Sequence, residues 1–574
     1  MVSYLLFALG VLLVASPGIY CWTLLFPNDC PQQRVAWGSV LGIAAAVYLA
    51  YVCAFAHLSW FYAVWAALLI LSAGTFGWRF WQRRLNLFDP GRGFWTGLAT
   101  SPTIALVLLL LLIVVLETIV VMSQSVPAGW DPSFHLLLAK KIALSDRIIR
   151  DWQPFEDAAL NYPLGSHFLI ALFARFSGLP LPRVFQFLML TFSVFTALAV
   201  YALGSEYFAS EIVGVYAAIA YGFWAWWGSG DYFRWGGLPN QLGMLLGLGV
   251  LSLVVRGGEQ RKSTVLMALL FASLCLTHHH VMLTMGFILI VLGLFFLATN
   301  DPERRYRTIF FALAIAAVAA AFFLVPYAMK AVSLSDTQVF HVDDSWAEFG
   351  GLGPALIFFA LGGLALDYSR KAARPRVFHL VLATLMLLWF LFGPLYYFYQ
   401  LNLTGKGFVA FTPSRFITDL AYFLSLFAGY ALYRLQTYCG WSGRVTIAIA
   451  LLFAFVNRSG WDQELITDPD RGRFAAYGWI AHHTPSNSIV MTRDSWACYA
   501  SWRRTLSTPM PVSEPRVPPR ISEKANQELL AGRSPEELRG IQLLAVFGPS
   551  DHDKGRLLWS NSDGWGVSEV YPNR

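Results

Sequence analysis

Apolar runs separated by short polar loops fill about the first four hundred residues, and about 20 consecutive apolar residues suffice to cross a bilayer as a helix. On that measure the first four spans fall at 3–26, 35–56, 59–77 and 100–122. The loop after the third carries Arg79, Arg83, Arg84 and Arg92, and further basic loops lie at 256–262, 303–307, 370–376 and 434–444. Short loops rich in Lys and Arg stay cytoplasmic, so these fall on one side and the segment after the fourth span, with Asp131, on the other. An odd number of spans must then connect Asp131 to Arg256, yet four apolar runs lie between them, at 162–178, 184–204, 211–227 and 239–255. The first is no longer than any of the others, contains His167 and Arg175, and ends in Ser-Gly-Leu-Pro-Leu-Pro-Arg. It reads as a helix lying in, or dipping into, the outer interface.

The same parity places 228–239, His278 to His280, 330–350 and 401–412 on the outer side around Asp131, and a last short span at 445–457 exports the tail. The tail turns polar, with a proline-rich connector at 509–519, a helix-like run at 473–483 and strand-like segments at 488–492 and 541–547. The expected fold is an all-α polytopic membrane protein of about 14 spans with a small extracytoplasmic α/β domain at its C-terminus. Its parts are a three-span N-terminal set with its basic loop (1–99), a transmembrane core (100–457) with an outer loop at 123–183, and the soluble domain (458–574). The first run, 3–26, lacks a basic start and a small-residue cleavage site, so it reads as a retained helix.

Composition agrees. With 57% hydrophobic and 13% charged residues the chain has too little polar surface for a water-soluble globule, and 22 Trp fit interfacial belts. The net charge of +7 comes from loop arginines without a basic, aromatic-interleaved tract, which excludes nucleic acid as a partner. The six cysteines are scattered without a C-x-x-C pair, so neither a disulfide framework nor a zinc knuckle is expected.

Chemistry concentrates in 128–167, the longest polar interruption. Asp131 opens an amphipathic run and His135 follows one turn on, so the two share a helix face. Such a pair can bind a divalent metal (Mg or Mn) or act as a base with its orienting partner; Asp131 can equally serve as a helix cap. An acidic patch of Asp151, Glu156 and Asp157 comes next, then Tyr162-Pro-x-x-x-His167.

This order resembles the GT-C class of membrane glycosyltransferases, in which a carboxylate of the first large outer loop is the base or a metal ligand and the sugar donor is a polyprenyl-phosphate lipid. The resemblance covers Asp131, the interfacial helix of Tyr162 and His167, the multi-span core and an exported C-terminal domain, about 100–574. It is closest to uncharacterised or arabinofuranosyl-like bacterial members. A Trp precedes the single Asp131, where protein-mannosyl and aminoarabinosyl transferases carry two adjacent acids.

The resemblance implies inversion at the anomeric carbon by analogy alone, and transfer to an extracytoplasmic glycan, lipid or protein acceptor at a bacterial plasma membrane. Such a reaction needs a base, cations for the departing phosphate and an apolar groove. Asp131, with His135, fills the first role; Arg415, with Lys406, Arg234 and His279 beside it, the second. Asp157, Tyr162, His167, Asp231, Trp235, His278 and His280 are the expected substrate contacts, although the three consecutive histidines cannot all reach one ion from a helix. His341, Asp343 and Asp344 read as a solvated loop. Two other readings remain open: a ligase or polymerase of lipid-linked glycans, and a transporter or flippase of lipid-linked substrates.

Overall fold

The computed structural model describes residues 2–81, 101–124, 126–128, 131–152, 160, 162–224, 232–233, 236–257, 260–333, 352–369, 376–391, 413–440, 445, 448–449, 452, 471–491, 496–502, 504–506, 542–547, 556–562 and 565–569. The helices are α1 (Val2–Leu25), α2 (Pro31–Phe55), α3 (Trp60–Trp81), α4 (Ser101–Ser123), α5 (Asp131–Ser145), α6 (Gly165–Ser177), α7 (Leu181–Phe208) and α8 (Glu211–Ile219), which continues through a π-turn at Ala220–Trp224. There follow α9 (Leu238–Arg256), α10 (Gln260–Cys275), α11 (His279–Ala298), α12 (Arg305–Ala319), α13 (Ala321–Ser333), α14 (Pro354–Ser369), α15 (Val377–Phe390) and α16 (Pro413–Cys439).

Among the described residues seven helices are long and apolar enough to cross a membrane, namely α1, α2, α4, α7, α9, α11 and α16; the pair α12 and α13, bent by 79°, makes an eighth if counted as one span. The expected count of about 14 also includes shorter apolar stretches, and α3, α8, α14 and α15 occupy such places. The span expected at 445–457 lies largely outside the described residues. Hydropathy gives no sign of the bend, which falls at Ala320 between the two helices. On α4, Leu108, Leu111, Val115, Ile119 and Met122 form an exposed apolar stripe while Leu109, Ile113 and Val120 are buried. An apolar outer face of this kind suits lipid.

Contacts sort the helix ends into two groups. At one end Arg256, closing α9, meets Asp29 in the α1–α2 turn at 2.7 Å and Glu206 near the end of α7. Trp22 donates to Asp29 (2.8 Å), Trp37 and Ser252 donate to Glu206 (2.6 and 2.8 Å), and Arg256 lies 5.3 Å from the rings of both Trp22 and Phe26. At the opposite end α5, α6, α11 and α16 begin. Both ends of α6 belong there: Gly165 donates to Leu276 O in the α10–α11 turn, and Arg175 pairs with Asp146 at the end of α5, which reaches Ser59 in the α2–α3 turn. Thus α5 and α6 do not cross, and α7, α8 with its π-turn, and α9 supply the three crossings that parity demands. The short helix is, however, covered by protein. Every α6 residue from Gly165 to Phe173 is buried against α1, α2, α5 and α7, because its aromatic residues meet Tyr51, Trp60, Trp65 and Phe7.

The N-terminal helices share one continuous apolar core with the rest of the bundle. α1 and α2 touch through glycine: a Cβ on Gly18 would collide with Gly38 O, and one on Gly42 with Val14 O. This is the small-residue packing by which membrane helices approach closely.

The tail forms a small α/β domain. Helix α17 (Arg471–His483), β1 (Ile489–Met491), α18 (Trp496–Ser501), β2 (Arg504–Leu506), β3 (Leu543–Phe547), β4 (Arg556–Ser560) and β5 (Gly566–Glu569) build a five-stranded sheet of order β2-β1-β3-β5-β4. β1 pairs in parallel with β2 and β3, and β5 runs antiparallel to β3 and β4. The helix-like and both strand-like segments of the sequence reappear as α17, β1 and β3. Ala476, Tyr477, Ile480, Val490, Ala497, Leu544 and Val567 make its separate core.

Removing Arg256 would leave two largely covered carboxylates, 13% and 8% exposed, without their counter-charge, a loss of about 3 kcal/mol, the low end for buried pairs. Arg256→Ala is expected to lower the melting temperature of the purified protein sharply and Arg256→Lys less, measured by thermal unfolding in one detergent. A loss of under about 1 kcal/mol, typical of exposed pairs, would contradict the role given to this cluster.

Candidate functional site

Asp131 opens α5 and Pro132 follows it, a proline tolerated in the first turn because its missing N–H has no helical partner. The turn is fixed from outside by Gly236, which has φ +80° and on which a Cβ would collide with Pro132 Cδ. Only glycine combines that conformation with so close an approach. Across from α5, α16 begins with Pro413 and presents Arg415. Its Nη2 lies 3.7 Å from Asp131 Oδ2, with the side chains 14% and 12% exposed respectively.

The same guanidinium reaches His278 Nε2 at 3.1 Å. Arg has donors only, so Nε2 accepts and His278 is neutral with its proton on Nδ1. The longer approach of Val281 N–H to Nδ1, 3.4 Å, requires the other tautomer and is the weaker claim on the ring. His278 sits in extended conformation at the cap of α11, so the next two histidines point elsewhere. His279 stacks on His278 (5.2 Å, 18°) and faces Tyr327, whereas His280 lies 3.4 Å from Asp419.

Gly165 lets α6 press against the turn that carries His278, since a Cβ there would lie 2.7 Å from Leu276 O. This brings His167 Nε2 to 3.0 Å from His135 Nδ1. Tyr162 is the hub, with ring centroids 5.9 Å from His135, 5.7 Å from His167, 6.5 Å from His278 and 5.6 Å from His279. Burial first, and the His135 ring second, hold the His167 imidazole well below the usual histidine range, so His167 is uncharged near neutral pH.

The N-termini of α5, α6, α11 and α16 therefore meet around one point. Each contributes roughly half a positive charge, and with Arg415 among them the place favours an anion. Beside it, Tyr162 and Tyr327 border a cavity of about 440 Å³ lined otherwise by Tyr51, Phe55, Ile148, Ile149, Arg150, Leu160, Phe322, Phe323 and Pro326. Apart from Arg150 and the tyrosine hydroxyls its wall is apolar.

Of the residues singled out in the sequence, Asp131, His135, Tyr162, His167, His278, His279 and Arg415 gather here. His280 is turned away into the bundle. Asp157, Asp231, Arg234, Trp235 and Lys406, with His341, Asp343 and Asp344, lie outside the described residues. Sequence reading missed Asp419, wholly buried one turn below Arg415, and with it the Tyr232–Tyr422 hydroxyl contact at 2.7 Å that Asn240 joins at 3.2 Å. An acid four residues past Arg415 inside an apolar span was the available signal.

Among the described residues no group of three or more His, Cys, Asp or Glu side chains is disposed to hold a metal ion. Among the described residues the Asp131 carboxylate faces the Arg415 guanidinium and the His135 imidazole faces that of His167.

Solved structures show that the fold is GT-C. ArnT from Cupriavidus metallidurans, bound to undecaprenyl phosphate, matches with a TM-score of 0.56 at 11% identity over 81% of this chain and 97% of that one. The archaeal oligosaccharyltransferase AglB from Archaeoglobus fulgidus, in complex with an inhibitory peptide and a dolichol-phosphate, matches at 0.52 and 14% identity over 77% of this chain and 69% of that one. Residues 12–393 match a family model described as a family of unknown function, DUF6541. No curated protein matches the sequence.

The unfolded chain takes up a proton on His167 at about pH 6.5, whereas the folded chain resists it to lower pH, so stability is retained above that value and falls as pH drops below it. Melting temperature is expected to fall with acid more steeply in the wild type than in His167→Gln. Parallel curves for the two proteins would assign the acid sensitivity to other groups.

Proposed function

The chain belongs to the DUF6541 family, a family of unknown function, and from its GT-C fold and the geometry of the site we propose that it is a membrane glycosyltransferase moving a sugar from a polyprenyl-phosphate carrier to a glycan, lipid or protein acceptor. The observation that carries this reading is the placing of the Asp131 carboxylate 3.7 Å from the Arg415 guanidinium where helix N-termini converge. The neighbouring apolar cavity suits the lipid chain, and the solved GT-C relatives carry undecaprenyl phosphate and dolichol-phosphate.

On this reading Asp131 takes the proton of an acceptor hydroxyl as its oxygen bonds to the anomeric carbon. The bond from that carbon to the phosphate oxygen breaks, with inversion, and the polyprenyl phosphate departs with the electron pair. Arg415 and the helix N-termini stabilise the charge it carries away. His278 holds Arg415 by accepting a hydrogen bond from its guanidinium, and the His135–His167 pair supports Tyr162 at the cavity's edge. Among the described residues Arg256, Arg305 and Arg434 lie at the end away from Asp131, which under the positive-inside rule supports an extracytoplasmic site, here read at a bacterial plasma membrane.

The test is turnover of a panel of polyprenyl-phosphate sugars by protein in nanodiscs. Asp131→Asn is expected to abolish turnover with donor affinity retained, since the amide keeps the shape but is no base. Arg415→Ala is expected to weaken donor binding by about 10- to 100-fold, the equivalent of about 1.5–3 kcal/mol for a charge-assisted contact. Full turnover in Asp131→Asn, or no binding of any lipid-linked sugar, would overturn the proposal.

A further inference from the structure

Helix α18 is six residues long and has two faces. Ala497 and Ala500 pack into the small core of the C-terminal domain, while Trp496, Cys498, Tyr499 and Trp502 join the apolar core of the membrane bundle. What they meet there is α5, the helix that begins with Asp131. The contact has a polar pin. Lys140 Nζ donates to Tyr499 O at 3.0 Å and lies 5.1 and 4.6 Å from the rings of Tyr499 and Trp502, so its ammonium is held by a carbonyl and two aromatic faces. The adjacent Lys141 donates to Asp151 O at 2.7 Å and lies 6.0 Å from the Trp152 ring, which ties the end of α5 to the chain leaving it.

We propose that the C-terminal domain is a positioning clamp on α5, with Lys140 as its pin, and that it sets where Asp131 stands relative to Arg415. Nine residues separate Lys140 from Asp131, about 13–14 Å along a rigid helix, so a shift or tilt at the pin is transmitted to the carboxylate. Arg415 itself stands on α16, whose start is held independently through His278 and through the Asp419–His280 pair. The clamp therefore acts on the distance between the two charges by moving one of them. Lys140 is a positioning residue, and its bearing on turnover rests on the glycosyltransferase reading; its mechanical role does not.

The experiment uses the full chain in nanodiscs with Lys140→Met, which keeps the apolar stem, and Lys140→Arg, which keeps a cation and donor. Hydrogen exchange is read over 131–145 and over 413–439. The Met variant is expected to exchange about tenfold faster in the first segment with the second unchanged, and the Arg variant to match the wild type. Protection of α5 unaltered in the Met variant, or loss of protection in both segments alike, would overturn the clamp. With whichever lipid-linked sugar turns over, kcat is expected to fall about tenfold in the Met variant with KM within about twofold, and to recover in the Arg variant. Unchanged kcat would also overturn the proposal. Should no such sugar turn over, the exchange data alone decide the clamp, and it is the function reading that fails.

Discussion

A charge buried in an apolar bundle must be matched where it stands, and Arg256 is matched by residues from two other helix ends at once. Because Asp29 follows α1 and Glu206 lies near the end of α7, the Arg256 cluster dictates which ends of α1, α2, α7 and α9 lie together. Everything at the other end follows from that. The chain leaving α4 must begin α5 there, and α6 must return without crossing. The turn at Leu276 to His278 must meet Gly165. The lock thus stands far from Asp131 yet fixes the topology that lets Asp131 and Arg415 meet.

The site is built from close backbone approaches more than from side-chain bulk. Gly236 against Pro132 and Gly165 against Leu276 O bring four segments together in two pairs, and in both places a Cβ would collide with its neighbour. With α5, α6, α11 and α16 starting side by side, the partial charges of their first turns add. A single Arg in such a place acts on an anion together with four oriented helix ends.

Much of this is legible in the order of residues alone. Residue counting and charge parity single out the run at 162–178 as the one that does not cross, and polar residues in apolar surroundings mark Asp131, His278 and Arg415. Pattern cannot say what covers α6, because an amphipathic helix of that length has the profile of an interfacial one until the aromatic rings of α1, α2 and α3 are placed against it. Nor can it pair His280 with Asp419, which requires knowing that α11 and α16 are neighbours. Helix α18 escapes for a different reason: six residues are too few to display a period, and its two faces serve two different cores.

The separation of Asp131 and Arg415 has a chemical consequence on the glycosyltransferase reading. At 3.7 Å the pair attracts strongly but stands beyond hydrogen-bond length. A phosphate arriving at the guanidinium competes with the carboxylate for its N–H donors. Donor binding would then leave the carboxylate oxygens to the acceptor hydroxyl. Once the proton is taken, Asp131 is neutral, and Arg415 is left facing one anion, the departing phosphate. The guanidinium serves the carboxylate before reaction and the leaving group after it, which is an arrangement that a base and a cation set far apart could not provide.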